Sequence, residues 1–120
     1  MKNLLTNYPK RGEIFIADLN PSFGREIYKK RPVLVISNNI LNRVLPTVII
    51  IPFSSIVPQF IGPDMVKVNK QKGLDKSSAI IVNQMRSIDR KRLVKNTGKL
   101  SRIDLEQVEE AVRIVLDIES

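Results

Sequence analysis

The sequence predicts an α+β fold, in which a small, mainly antiparallel β-barrel of about five to seven strands precedes one C-terminal α-helix. Three observations lead to this prediction: several short apolar segments separated by turn residues, one long amphipathic segment near the end, and a length of 120 residues. That length suits a single hydrophobic core. A partly closed barrel is favoured because closure leaves few unpaired strand edges. We therefore expect one domain over residues 1–120, with residues 1–10 as a flexible N-terminal arm.

The predicted strands are short runs of β-branched and aliphatic residues. Apolar side chains occupy both faces of the first run, which indicates burial on both sides. Pro32 is expected at the beginning of the second strand because it has no N–H for a sheet ladder. Residues 38–46 and 90–93 are expected to contain short turns of helix. The predicted strands are Glu13–Asp18, Val33–Ser37, Thr47–Phe53, Met65–Val68, Ser78–Val82 and Gln84–Ile88.

The only long helix is predicted over residues 101–118. Ser101 can serve as its N-cap, and Asp104 then lies near the positive end of the helix dipole. Apolar residues at helical spacing form one stripe that is expected to pack on the core. The stripe consists of Leu105, Val108, Val112, Val115 and Leu116.

Charge and composition restrict the possible functions. Lys and Arg number 20 against 12 Asp and Glu, so the formal net charge is +8, with a sequence pI near 10.1. This excess favours a polyanionic partner, namely nucleic acid, an acidic protein segment or an anionic membrane face. Most of it lies in residues 67–102, where Asp75 and Asp89 are the only acids. No apolar run approaches the ~20 residues that cross a bilayer, and a cytoplasmic location is expected.

The chain contains no cysteine and no histidine. Thiolate chemistry, disulfides and the usual zinc and haem ligands are therefore excluded. No phosphate-binding loop of the GxxxxGK[ST] type and no paired loop carboxylates for magnesium are present. We expect no metal and no cofactor.

One reaction needs neither histidine nor metal, and that is RNA cleavage by the substrate's own 2′-hydroxyl. The nucleophile already lies beside the phosphorus, so the protein has only to move protons and stabilise phosphoryl charge. Arg31, at a loop-to-strand junction, suits the second task because a guanidinium fork matches phosphate geometry. Ser54 and Ser55 offer hydroxyls, and Glu26 shares a loop with Arg31. Taken singly, an arginine such as Arg31 is more often a surface cation and a glutamate such as Glu26 is more often a salt-bridge partner, and Ser54 and Ser55 are simply strand-ending residues.

Three ordered blocks of the sequence resemble the MazF/PemK-type toxins of toxin–antitoxin pairs. The first is RGEIFIADLNPSFGREIYKKRPVLVISNN at residues 11–39, and the second begins at Asn42-Arg43-Val44 and continues through PTVIIIPFSS. The third is VNQMRSIDRKRL at residues 82–93. The resemblance implies an SH3-like barrel that usually forms a homodimer. It also implies sequence-selective, metal-independent cleavage of single-stranded RNA to 2′,3′-cyclic phosphate and 5′-hydroxyl ends, and an acidic antitoxin as partner.

The resemblance also assigns residues. Arg31 matches the arginine of the family's Arg-Pro pair, Ser54 matches a strand-end threonine, and Glu26 matches a loop glutamate; these three are the predicted catalytic residues. The predicted RNA-binding residues are Arg25, Lys30, Ser55, Phe60, Gln84 and Arg86, of which Gln84 and Arg86 match the third block. Phe60 is suited either to stack on a base or to pack against the core or its own loop. Some members use another arrangement, with a histidine in the first loop and an Arg and an Asp before the glutamine. This chain has Arg25, Ile81 and Asn83 at those positions, which favours the Arg31/Ser54 version.

Two other functions fit the same barrel. One is a toxin of the CcdB-like class, which poisons DNA gyrase by binding and cuts no RNA. That class depends on its final residues, which are often aromatic, whereas this chain ends in Val-Leu-Asp-Ile-Glu-Ser. The other is a non-catalytic RNA- or peptide-binding barrel, against which the joint presence of Arg31, Ser54 and Glu26 argues.

Overall fold

The computed structural model describes residues 7–21 and 23–119. Residues 1–6, which form most of the predicted N-terminal arm, lie outside the described residues. Residues 7–10 form neither helix nor strand, and Pro9 among them is buried. The backbone N–H of Lys10 donates to Glu13 Oε1 at 2.6 Å, so this part of the chain is attached to the start of the first strand.

Within the described residues the chain forms seven strands and two α-helices, which confirms the α+β class. The longer helix begins after Ser101, whose Oγ accepts a hydrogen bond from Asp104 N at 3.2 Å, as an N-cap does. No helix in this part of the chain is long and apolar enough to cross a membrane. The strands are β1 (Glu13–Asp18), β2 (Lys30–Val35), β3 (Thr47–Ser54), β4 (Met65–Val68), β5 (Ser78–Ile81), β6 (Arg86–Asp89) and β7 (Leu93–Lys99). The helices are α1 (Asn39–Val44) and α2 (Arg102–Leu116), and short 3-10 turns lie at Val82–Gln84 and Arg90–Arg92.

All strand pairs are antiparallel, in the order β4-β5-β3-β2-β1-β7. The long strand β3 serves two neighbours, because Thr47–Ile50 pairs with β6 and Phe53–Ser54 pairs with β5. The terminal strands of the order, β4 and β7, are not hydrogen-bonded to each other. Strand pairing therefore does not close the predicted barrel.

Two glycines bring the ends of the sheet together instead. Gly73 lies in the β4–β5 turn at φ +91°, and a Cβ built on it would lie 2.8 Å from the Thr97 carbonyl oxygen and 3.0 Å from Gly98 Cα. Only glycine permits both this φ and this approach. The Thr97 hydroxyl lies 3.0 Å from the Gly73 carbonyl oxygen and 3.2 Å from that of Ile14, so its single proton is shared between the two acceptors. The β4–β5 turn thus packs on β7, but the sheet is not closed into the predicted barrel.

The core lies on both faces of the central strands, as the apolar residues on both faces of β1 predict. One cluster packs beneath α2, where Val108 and Ala111 meet Phe53 and Leu34. The other includes Ala17, Val33, Val48, Ile50 and Ile88. Burial of the apolar side chains of these two clusters is the main source of stability for the sheet.

Two features of the sheet differ from the sequence prediction. Pro32 is the third residue of β2, which begins at Lys30 rather than at Val33. Pro32 pairs with Ile16 of β1, but pairing of β2 with β3 begins only at Val33. The proline is tolerated because no residue of β3 pairs with it, so that side of the residue needs no N–H for a sheet hydrogen bond. Strand β7 is not among the predicted strands, the last of which is Gln84–Ile88. Its polar sequence, LVKNTGK, becomes a strand because it pairs with the edge of β1.

Candidate active site

A groove of about 580 Å³ opens where β1, β2 and the end of β3 face the β4–β5 turn and β7. The near wall, from β1 to β3, contains Lys30, Arg31 and Ser55. The rest of the lining, which we call the far wall, consists of Gly73–Lys76, Ser78 and Lys95–Thr97. Four of the five charged side chains that line the groove are cationic: Lys30, Arg31, Lys76 and Lys95. Such a concentration of positive charge suits a phosphodiester chain.

Arg31 is the best-fixed cation of the groove. Its Nε donates to the Tyr28 carbonyl oxygen at 2.8 Å, and its Nη1 donates to the Phe53 carbonyl oxygen at 3.3 Å. These bonds connect the guanidinium to the β1–β2 loop and to β3. Partial burial lowers the pKa of Arg31 from its ordinary value, and the Tyr28 phenol, when ionised, opposes that shift. A desolvated guanidinium on fixed backbone partners is preorganised to stabilise phosphoryl charge.

The two serines at the end of β3 occupy different positions. Ser55 is exposed and lines the groove together with Arg31. Ser54 is partly buried, and its Oγ accepts from Ile56 N at 3.2 Å and lies 3.4 Å from the Ile56 carbonyl oxygen. The hydroxyl of Ser54 therefore shapes the turn that follows β3, whereas Ser55 is the serine that lines the groove.

Glu26 does not pair with Arg31 in this structure. Its Oε1 accepts from Phe23 N at 2.6 Å, so the carboxylate orders its own loop. The ion pairs among the described residues join Arg11 with Glu109, Arg102 with Glu106 and Arg113 with Glu110. Across residues 7–21 and 23–119, no three His, Cys, Asp or Glu side chains lie close enough together to hold a metal ion.

Two of the predicted RNA-binding residues, Lys30 and Ser55, line this groove. The other four, Arg25, Phe60, Gln84 and Arg86, do not. Arg25 and Phe60 are exposed on loops, Phe60 to 85%. Gln84 Oε1 accepts from Ile27 N at 3.4 Å and so joins a 3-10 turn to the β1–β2 loop. Arg86 lies on β6, where its Nη1 is buried without a hydrogen-bond partner among the described residues. Their roles toward RNA stay predictions.

Sequence reasoning missed the far wall of the groove. Asp75, Lys76, Lys95 and Asn96 line it, yet the sequence marked them only as part of the basic stretch 67–102. The sequence analysis did not predict β7, and without that strand nothing places Lys95 and Asn96 in the same groove as Arg31. A polar edge strand has no apolar periodicity by which it can be recognised.

Comparison with known proteins identifies the family. Residues 10–116 match the model of the PemK-like, MazF-like toxin of type II toxin–antitoxin systems. Endoribonuclease EndoA of Bacillus subtilis (strain 168) is 38% identical over 111 residues, which cover 89% of this chain and 93% of that protein. The fold is similar to that of MazF (Form-I) from Deinococcus radiodurans, with a TM-score of 0.82, 23% identity and coverage of 93% and 99% of the two chains. It is also similar to a mycobacterial endoribonuclease in complex with its cognate antitoxin, with a TM-score of 0.76, 18% identity and coverage of 93% and 98%. The resemblance found in the sequence is thereby confirmed, and the chain belongs to the PemK-like, MazF-like family of type II toxins.

Proposed function

We propose that this protein is the toxin of a type II toxin–antitoxin pair and acts as an endoribonuclease on single-stranded RNA. Family membership and the activity named for the 38% identical relative support the proposal. The single structural observation that carries it is Arg31, held by two backbone carbonyls at the edge of a groove lined by Lys30, Lys76 and Lys95. These lysines are suited to bind the phosphates on either side of the cleaved bond.

The proposed reaction uses the RNA's 2′-oxygen as nucleophile. A base, either Arg31 or Glu26, removes the 2′-hydroxyl proton. The oxygen then attacks the adjacent phosphorus, and the bond from phosphorus to the 5′-oxygen breaks. The leaving oxygen takes up a proton, so the products are a 2′,3′-cyclic phosphate and a 5′-hydroxyl. Arg31 stabilises the charge that develops on the phosphoryl oxygens. No metal takes part in this scheme, because the guanidinium supplies the charge stabilisation.

We expect the cleavage rate to increase with pH, by about one logarithmic unit per pH unit between about pH 6 and pH 9. The physical reason is that burial lowers the pKa of Arg31, so the neutral guanidine, which can accept a proton, becomes more populated as pH rises. Rates under single-turnover conditions with RNA in excess of its dissociation constant would measure this. A flat profile would instead assign proton removal to an ionised carboxylate, for which Glu26 is the candidate.

The strand-end hydroxyl is assigned to Ser54 on the family pattern, and we propose that it fixes the turn and donates to the substrate. Ser54→Ala is therefore expected to reduce the cleavage rate more than Ser55→Ala, by about the net worth of one or two hydrogen bonds, roughly 10-fold. The two variants are matched controls for each other, since each deletes one hydroxyl from adjacent positions. The reverse order would move the role to Ser55, whose side chain lines the groove.

The function is tested by incubating purified protein with a long single-stranded RNA in excess EDTA and then mapping the new ends. We expect discrete cuts with 5′-hydroxyl and 2′,3′-cyclic phosphate termini. A requirement for a divalent ion, or 5′-phosphate ends, would refute the proposal. Intact RNA together with trapped gyrase–DNA complexes would identify a gyrase poison, and intact RNA with retained binding would identify an inactive module.

We further propose an acidic antitoxin as partner, a homodimer as the active form and the cytoplasm as the location. Antitoxin binding is supported by the family and by the fold's similarity to a toxin solved with its antitoxin. An acidic partner fits the net charge of +8. The toxin domain is proposed to extend over residues 1–120, of which the family model covers 10–116.

A further inference from the structure

Asp75 differs in charge from every other ionisable residue of the groove. Of the described residues that line it, Asp75 alone is acidic, whereas Lys30, Arg31, Lys76 and Lys95 are cationic. Its side chain is exposed and forms no hydrogen bond or ion pair within 4.0 Å with any described residue. The carboxylate is therefore neither neutralised by a neighbouring lysine nor used to hold the fold together.

The backbone on both sides of Asp75 is firmly held. Leu74 before it is buried, and the backbone groups of Leu74 and Gln71 exchange hydrogen bonds of 2.8 and 3.1 Å. Gln71 in turn accepts from Ser101 N at 3.2 Å, which connects this turn to the start of α2. After Asp75, the buried Ser78 donates from its Oγ to the Lys76 carbonyl oxygen at 3.0 Å. Asp75 is thus an exposed side chain on a preorganised backbone, which is how a recognition residue is best presented.

A carboxylate weakens binding of RNA phosphates because like charges repel. The parts of RNA that it does attract are the donor groups on base edges. Single-stranded RNA exposes its Watson–Crick edges, and proteins that read RNA sequence bind those edges with hydrogen bonds. Guanine presents two adjacent donors there, N1–H and the 2-amino group. The two oxygens of a carboxylate can accept both at once, whereas the Watson–Crick edges of adenine, cytosine and uracil offer one donor group each.

From this geometry we infer that Asp75 selects guanine next to the cleaved phosphate. The inference rests on the proposed RNA cleavage, since Asp75 and Arg31 line the same groove. Asp75 is then a specificity residue, and the lysines around it provide binding that does not depend on sequence. The inference adds a base-reading position on the β4–β5 turn.

The test compares wild type with Asp75→Asn on a long single-stranded RNA, followed by rates on four short RNAs that differ only in the base at the selected position. We expect wild type to prefer guanine at one position beside the cut. Asparagine replaces one acceptor by a donor, so Asp75→Asn should lose roughly 10- to 100-fold of that preference. Asp75→Glu keeps the carboxylate and should retain the preference for guanine at a lower rate. Asp64→Asn, which removes the same charge outside the groove lining, should leave base choice unchanged.

Three results would overturn the inference. These are unchanged base preference in Asp75→Asn, an equal fall in rate on all four RNAs, and an equal rise in affinity for all four. The second would make Asp75 a proton-transfer group, and the third would make it merely repulsive. Failure of wild type to cut any RNA would instead refute the proposed function, so the two failures are distinguishable.

Discussion

Replacing Arg31 with alanine is expected to reduce the RNA cleavage rate by ~100-fold or more, the usual effect of deleting a preorganised donor to a developing oxyanion. The loss should appear mainly in kcat, because the guanidinium acts on charge that is greatest in the transition state. Single-turnover rates at saturating RNA, with matched thermal unfolding curves, would measure it. The fold should survive, since Arg31 is only partly buried and its two hydrogen bonds are to backbone carbonyls near the surface.

Two further variants make the Arg31 experiment decisive. Arg31→Lys keeps the positive charge but loses the planar fork, so it should recover only part of the rate. Arg102→Ala removes the same charge from the exposed side of α2, where Arg102 pairs with Glu106 one helical turn away, and should cleave at nearly the wild-type rate. Near-normal cleavage by a folded Arg31→Ala protein would contradict a catalytic role for Arg31.

Replacing Gly73 with alanine is expected to lower the free energy of unfolding by roughly 3 kcal/mol, from a disfavoured φ and from overpacking. The new Cβ would lie 2.8 Å from the Thr97 carbonyl oxygen, a rigid backbone atom on β7. The β4–β5 turn must then move away from β7, which displaces the far wall of the groove. We therefore expect a reduced cleavage rate as well as reduced stability. Urea unfolding gives the first quantity, and single-turnover cleavage under folding conditions gives the second.

Gly12 provides a matched control for Gly73. Its φ is +92° against +91° at Gly73, but the nearest atom to a Cβ there would be a side-chain carbon of Leu105 at 3.5 Å, an ordinary contact. Gly12→Ala should therefore lower the free energy of unfolding only by the contribution of the disfavoured φ, about 1–2 kcal/mol. If both variants lost equal stability, close packing of Gly73 on β7 would have no separate effect.

Much of the fold was predictable because its signals are local. Strand β1 agrees with its predicted bounds, β4 also agrees, and Ser101 caps α2 as expected. Each of these depends on β-branched runs or on capping chemistry within a few residues. Strand β7 and the contact of Gly73 with Gly98 depend instead on pairing between distant parts of the chain. Neither leaves a pattern in its own sequence.

The site was predictable only on its near wall. Arg31 was predicted because a family pattern marks the Arg-Pro pair, whereas its residue type alone is more often that of a surface cation. The carbonyls that hold its guanidinium, those of Tyr28 and Phe53, are backbone groups that every residue possesses. No sequence feature identifies them as partners. Asp75 was not predicted as a site residue for a related reason. Only the folded β4–β5 turn places it among the cationic side chains of the groove.

The antiparallel pairing of β1 with β7, in which Glu13 lies opposite Lys99, affects how the protein is made. A ribosome releases β1 early, but this strand has no β7 beside it until Lys99 has left the exit tunnel. Until then, three of the eight far-wall residues, Lys95, Asn96 and Thr97, are missing from the folded part of the nascent chain. Folding that depends on such distant pairing is completed late. A nascent copy of this chain that has not yet exposed β7 therefore lacks the complete groove.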